Sequence, residues 1–327
     1  MPKVSVLIAV YNAEKYLHQC LNSMRLQTLH DIEVLCVDDA STDSSLSILQ
    51  EFAEKDERFK VFHLEKNSGP CKARNVALKH STGEFVCFLD ADDWMNYETL
   101  QKTVDIFEQN PNTDAVLFNC RYYYEDGSTE DYSMPLLEVM TGEEAFIASL
   151  DWSIHGIYMV RGDMHRAIPY DDSTNAFNDE NVTRMHYYKS REVRQSEGVY
   201  WYRMHSGSVT HDVSSKKVMY IKTCEEMKQK LNEMNCSETV LTQYENHRWM
   251  MFVDAYVHYY KNRDTFTSEE RNACISAMKS VWKGFETWRL YSSTTRKFGY
   301  MPLHFSWSLF VAQMELYFGI RKMIGRL

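Results

Sequence analysis

At 327 residues and 44% hydrophobic side chains, the chain is long enough for one large α/β domain plus a smaller unit, and it can fill a core. A formal net charge of −10 argues against a nucleic-acid backbone as partner, which would need a basic face. The eight cysteines form no C-x-x-C pair, the apolar run at 4–10 is too short for a signal peptide, and no stretch reaches membrane-span length, so a reduced, cytoplasmic setting is expected.

The first third alternates strand and helix signals with short connections. Apolar runs at 4–10, 32–37, 60–64, 85–89 and 115–120 predict strands. Between them, 14–27 carries Tyr16, Leu17, Cys20, Leu21 and Met24 at helical spacing. A second helix follows the capping run Ser41-Thr42-Asp43-Ser44, with Leu46, Leu49, Phe52 and Ala53 on one face, and further helices are predicted over 73–80 and 97–109. Such βαβ repetition predicts an α/β fold, a mostly parallel sheet with helices on both faces. After Arg121 the pattern loosens. Residues 122–142 read as a polar excursion, 151–160 as mixed strand and loop, 178–188 as a helix opening in acids, and 198–205 as an aromatic-rich strand. From Val213 the periodicity is helical to the end, which sets a boundary near Asp212 and two domains, 1–212 and 213–327.

Chemistry concentrates where strands stop. Phe85-Val86-Cys87-Phe88-Leu89 ends abruptly in Asp90-Ala91-Asp92-Asp93, at the kind of sheet edge where open α/β folds bind ligands. Clustered carboxylates repel one another unless a cation or a cationic substrate neutralises them, so a metal site is the first expectation. The plainer alternative is a solvated turn in which Asp93 or Asn96 caps the next helix. The strand at 32–37 likewise runs into Asp38 and Asp39, and parallel strands end on the same side, so Asp38/Asp39 and Asp90/Asp92 are expected along one edge. A carboxylate there can accept from a nucleobase imide or ribose hydroxyls, unless Ser41, Asp43 and Ser44 make the segment a mere cap. The first strand ends Ala9-Val10-Tyr11-Asn12-Ala13-Glu14, without the glycines of a dinucleotide fingerprint, and no G-x-x-x-x-G-K-[ST] occurs. Asn67-Ser68-Gly69-Pro70-Cys71-Lys72-Ala73-Arg74-Asn75 brings Lys72 and Arg74 to a helix start, where they can meet phosphate or stay solvated.

In this order and spacing, four blocks resemble the family 2 glycosyltransferases of the GT-A fold: Val4-Ser5-Val6-Leu7-Ile8-Ala9-Val10-Tyr11-Asn12, Val37-Asp38-Asp39-Ala40-Ser41-Thr42-Asp43, the stretch 67–75, and Leu89-Asp90-Ala91-Asp92-Asp93-Trp94. The resemblance covers roughly residues 2–211. It implies a Rossmann-like GT-A domain that moves a sugar, with inversion, from a nucleotide-diphosphate donor to a hydroxyl of a glycan or lipid-linked acceptor in surface polysaccharide or glycolipid synthesis. It implies a divalent cation, Mn2+ or Mg2+, at the D-x-D motif Asp90-Ala91-Asp92, with Asp92 on the metal and Asp90 on the metal or the ribose. It puts Ala9 and Tyr11 on the donor side, Tyr11 against the base, with Asp39 beside Asp38 at a pyrimidine edge, which favours a uridine donor. Ala40 stands where the family often has glycine, with little consequence expected.

The family's base is a carboxylate in an acidic pair before a helix, matched here by Asp179-Glu180 in reversed order. The base therefore falls on Glu180 by position and on Asp179 by side-chain type, while Glu180 also suits a helix N-terminus. The stretch Tyr202-Arg203-Met204-His205-Ser206-Gly207-Ser208-Val209-Thr210 resembles the segment that closes the domain over the diphosphate. It implies His205 on phosphate or beside the cation, and Arg203 neutralising the leaving group. Trp152 and His155 lie where the acceptor would approach. Two rivals remain: a sugar-nucleotide pyrophosphorylase, which needs a glycine-rich basic loop after the first strand, and a non-catalytic binding or scaffold protein of the same fold.

The helical region carries Trp249, Tyr256, Trp282 and Trp307 among many aromatics, and its last stretch, 305–327, has Phe310, Met314, Tyr317 and Phe318 on one apolar face before a basic end. That face is expected to pack on the body or on a second subunit, as in a homodimer. Otherwise it lies on an anionic membrane and makes the protein peripheral on its inner face.

Overall fold

The computed structural model describes residues 1–135, 139–171, 178–205, 214–295 and 306–325. The chain divides into two compact units, residues 1–208 and 209–327. The expected boundary at Asp212 lies outside the described residues.

The first unit is built on one sheet. Its strands are β1 (Val4–Val10), β2 (Ile32–Asp38), β3 (Phe59–His63), β4 (Phe85–Phe88), β5 (Trp94–Met95), β6 (Thr113–Tyr124), β7 (Thr129–Asp131), β8 (Tyr158–Arg161) and β9 (Glu192–Met204). They lie in the order β3-β2-β1-β4-β8-β6-β9-β5, with β7 on β6. β1 pairs in parallel with β2 and β4, β2 with β3, and β6 with β9, while β8, β5 and β7 run against their neighbours. Most strands therefore share one direction, and the C-terminal ends of β1, β2 and β4 open on a single edge.

Alternation along the central strands decides which helix covers which face. Val4, Val6, Ile8 and Val10 of β1 share a core cluster with residues of α1 (Glu14–Arg25), α2 (Ser45–Lys55) and α4 (Thr99–Gln109). Leu7, between them, turns the other way with Leu35 and Val37 onto Ala73, Ala77 and Leu78 of α3 (Pro70–His80). Period-two side chains on a sheet buried on both faces give the α/β sandwich that the sequence predicts. α5 (Gly142–Leu150), α6 (Gly162–Ala167) and α7 (Asn178–Lys189) complete the unit.

Two expectations are corrected. The excursion at 122–142 is partly strand: β6 runs on to Tyr124 and turns through Gly127, with φ +82°, into β7. The following helix announces itself by a capping box, with Thr141 and Glu144 each bonding the other's backbone N–H. The aromatic strand is longer than predicted, because β9 starts at Glu192 and keeps pairing with β6 through two register shifts.

The second unit is helical: α8 (Lys216–Glu233), α9 (Glu238–Asn262), α10 (Ser268–Trp282), the short α11 (Ser292–Thr295) and α12 (Trp307–Met323). Trp249, Phe252, Trp282, Phe285 and Phe310 form its core, and α12 enters it through Phe310, Met314 and Phe318. No helix among the described residues is long and apolar enough to cross a membrane.

Candidate active site

The loops after β1 and β2 cap each other's helices. The backbone N–H groups of Ala13 and Glu14 donate to Ser45 Oγ at 2.9 Å and Asp43 Oδ2 at 3.1 Å, and Ser44 N–H donates to Glu14 Oε2 at 2.9 Å. Asn12 accepts from Thr42 N at 2.8 Å. The open amides at the starts of α1 and α2 are thus satisfied by exchange. This leaves Tyr11 half-exposed on the edge.

Asp38 and Asp39 differ in what they face. Asp38 is fully buried, its Oδ2 bonded to His63 Nδ1 at 2.8 Å and to Ser41 N at 3.2 Å. It organises the loop through Oδ2, while its Oδ1 is buried without a hydrogen-bond partner, so neither oxygen faces solvent where a donor would lie, against the expectation of direct contact. Asp39 accepts from Ser68 N and Gly69 N, both at 2.7 Å, so its carboxylate ties β2 to the turn that opens α3 at Gly69, φ +88°. Ala40 has φ +60°, in the left-handed region where a Cβ is strained, so an alanine in the family's glycine position does have a consequence.

At the end of β4 the acids take separate tasks. Asp93 is no helix cap: the N-cap of α4 is Glu98, and buried Asp93 accepts from Tyr200 Oη and from Arg203 N, both at 2.7 Å. Tyr200 Oη in turn accepts from Asp90 N at 3.2 Å. Burial, then Asp90 and Asp92, push the Asp93 carboxyl well above the usual range. Asp90 is held by Arg74, whose guanidinium is buried against Phe88 at 4.4 Å and Tyr170 at 5.6 Å. Burial pushes the Asp90 carboxyl up and Arg74 opposes it, while Asp92 and Asp179 add repulsion. Asp92, about a third exposed, accepts from His205 Nε2 at 2.9 Å.

Arg74 is therefore corrected from a phosphate ligand to the cation that gathers acids, since its Nη1 also approaches Asp179 Oδ2 at 3.7 Å. Lys72 stays on the exposed side of the same helix start. Arg203 is locked by Asp92 O at 2.8 Å and Gln19 Oε1 at 2.7 Å, and lies over Tyr16 and Trp94 at 4.7 and 4.6 Å. His205 packs on Tyr16 at 5.1 Å. The rest of the expected closing segment, Ser206 to Thr210, lies outside the described residues.

The acidic pair on α7 separates by environment. Glu180 bonds Arg184 Nη2 at 3.0 Å, and Arg184 is buried. Asp179 is half-exposed and faces Arg74 and Asp90. On the acceptor side, Trp152 is 48% exposed with φ +63°, its carbonyl taking a hydrogen bond from Tyr132 Oη. His155 is buried at 4% exposure, and burial pulls its imidazole down to about 4, so it presents no face to an acceptor. Sequence reasoning passed over Tyr200, Tyr16, Gln19 and Tyr170, which hold the named residues. Tyr200 carried a signal as a position of the aromatic strand, and Tyr16 as part of the apolar face of the first helix, but neither signal pointed to the site.

Among the described residues, no group of three or more His, Cys, Asp or Glu side chains is assembled around one point. Asp92 and His205 nevertheless juxtapose a carboxylate oxygen and an imidazole nitrogen beside Asp90. This donor set suits a divalent cation whose remaining ligands are phosphate oxygens.

Residues 5–166 match the family model for glycosyl transferase family 2. Among curated relatives, the chain is 29% identical over 222 residues to the uncharacterized glycosyltransferase EpsJ of Bacillus subtilis, covering 64% of this chain and 63% of EpsJ. It is 43% identical over 124 residues to the poly(ribitol-phosphate) beta-N-acetylglucosaminyltransferase TarS of Staphylococcus aureus, covering 37% of this chain and 21% of TarS. The chain thus spans less than two thirds of either relative. The crystal structure of S. aureus TarS 1–349 superposes with a TM-score of 0.66 at 25% identity, covering 88% of this chain and 82% of that one. The same TarS segment has been solved with UDP-GlcNAc, at 24% identity and a TM-score of 0.68.

Proposed function

Because this chain belongs to glycosyl transferase family 2, we propose that it transfers a sugar, with inversion, from a uridine diphosphate donor to a hydroxyl of a cell-surface polymer or its lipid-linked precursor. The TarS segment solved with UDP-GlcNAc and the activity named for TarS support an N-acetylhexosamine or hexose as the sugar and a polyol-phosphate or glycan chain as the acceptor. The observation that carries the reading is the gathering of Asp90 and Asp179, from two distant segments, around buried Arg74 on the edge where β1, β2 and β4 end.

Asp179 is the base. Its half-exposed carboxylate takes the proton of the acceptor hydroxyl as that oxygen bonds to the anomeric carbon. The bond from this carbon to the phosphate oxygen breaks on the opposite face, and the nucleoside diphosphate leaves with the electron pair. Arg74 aims Asp179, Asp39 fixes the turn at Gly69 beside half-exposed Tyr11, which packs on the nucleobase, and Trp152 offers the acceptor an apolar wall. Asp92, His205 and Asp90 would hold a divalent cation, Mn2+ before Mg2+ given the imidazole, and when bound it supplies positive charge to the departing diphosphate. Glu180 secures α7 through Arg184.

Transfer from UDP-sugars is measured for the matched variants Asp179→Asn and Glu180→Gln. The first should lose about 100-fold or more in kcat with the donor KM little changed, as expected of a general base. The second should stay within about tenfold in kcat and lose chiefly thermal stability. Near-normal turnover by Asp179→Asn, with Glu180→Gln inactive, moves the base to Glu180; normal turnover by both removes it from the pair.

A further inference from the structure

Of the two expectations for the apolar face of α12, packing or a membrane surface, packing holds, and a different face of the helix is free. Phe310, Met314 and Phe318 are buried in the helical unit. On the other side, Leu309, Leu316, Ile320, Met323 and Ile324 are 61, 66, 46, 80 and 58% exposed. The first four are seven, four and three positions apart, steps that keep side chains on one face of a helix. A contiguous aliphatic stripe left in water on a folded unit marks a contact surface.

Charge says what it contacts. Residues 209–327 hold 17 Lys and Arg against 12 Asp and Glu, a net +5, whereas residues 1–208 carry −15. The single acid of α12, Glu315, is turned away and paired with Arg263 at 2.9 Å. The helix ends in Arg321 and Lys322, next to the most exposed apolar residues. We infer that the outward face of α12 docks on an anionic lipid surface, its aliphatic stripe entering the headgroup boundary and its basic end meeting lipid phosphates. A second copy of the chain would find on this stripe neither aromatic anchors nor complementary acids, which protein interfaces use. Because the buried face already fixes the helix, docking needs no coupled folding. The inference deepens the proposed function by placing the enzyme where lipid-linked acceptors reside, and it rests on the helical unit's own geometry.

The test is flotation of the full chain with phosphatidylcholine vesicles, with and without phosphatidylglycerol, in the absence of donor. The full chain should float with the anionic vesicles and be released by high salt. Leu316→Glu with Ile320→Glu should weaken binding about tenfold or more, and Lys322→Glu about fivefold. Leu309→Ser with Met323→Ser, milder for the helix, should weaken it in the same direction, with melting profiles checking the fold of each variant. Failure of the full chain to float overturns the inference, as does flotation that none of the variants reduces. Light scattering that finds a dimer dispersed by Leu316→Glu/Ile320→Glu, without vesicle binding, assigns the stripe to a second copy instead. Transfer to a soluble acceptor should be unchanged in all these variants, so loss of transfer and loss of docking are separate results.

Discussion

Arg74 explains why the candidate site was only partly legible in the sequence. As a basic residue at a helix start, it reads as a phosphate ligand. Only burial between Phe88 and Tyr170, with Asp90 and Asp179 around it, turns it into the residue that gathers carboxylates. The Asp179-Glu180 pair was equally ambiguous, because letters do not reveal that Arg184 claims the second acid. Ala40 is the clearest single-residue case. Its φ of +60° puts a Cβ in the left-handed region at a cost of about 1–2 kcal/mol, partly offset because glycine loses more entropy on folding. Ala40→Gly should therefore stabilise the first unit by up to about 1 kcal/mol, a rise of roughly 2–4 °C in its melting transition. An unchanged or lower melting temperature would mean that the surrounding loop has already relieved the strain.

Helices with a clear apolar period and a cap were the easiest elements to place. α2 follows its run of Ser, Thr and Asp, and α1 differs from its expected span only at the C-terminal end. Strands on the far side of the sheet were harder, since β9 pairs with both β6 and β5 and its half-buried residues blur the alternation. Yet β9 is what holds the acid loop. Tyr200 from this strand bonds Asp93 and Asp90 N, and Arg203 N bonds Asp93. Tyr200→Phe keeps the packing and removes the hydroxyl, leaving a buried carboxylate with one donor fewer. The expected loss is about 1–3 kcal/mol of stability together with weaker binding of UDP, followed by calorimetry. Unaltered affinity and melting would show that the loop does not depend on this strand.

The acidic first unit also carries buried imidazoles, and together they set how it responds to pH. Burial lowers His155 and His186 to about 4 from 6.5, and it holds His165 well below the same starting value, with His186 and Arg74 adding repulsion. In the folded state His186 Nε2 donates to Ile168 O at 2.9 Å, so its Nδ1 accepts from Tyr158 Oη at 2.6 Å, and His165 packs edge-on against its ring at 4.6 Å. A second proton on His186 would set Nδ1–H against the Tyr158 hydroxyl. Unfolding frees all three rings to bind protons, so this stability is fully present above pH 6.5 and is lost as pH falls toward 4, on the order of 3 kcal/mol for a group displaced that far. Glu33 follows later: burial works to raise it, but bonds from Lys60, Thr82 and Ser5 win and lower it to about 2, so its share is lost only between pH 4.5 and 2. The first unit should therefore begin to lose melting temperature below pH 6.5, before any carboxylate with an ordinary pKa titrates. His186→Gln, which keeps an amide donor and acceptor, should flatten the decline between pH 6.5 and 5 while lowering stability at pH 7.5. A slope identical to that of the unaltered chain in this window would assign the acid sensitivity to groups other than His186.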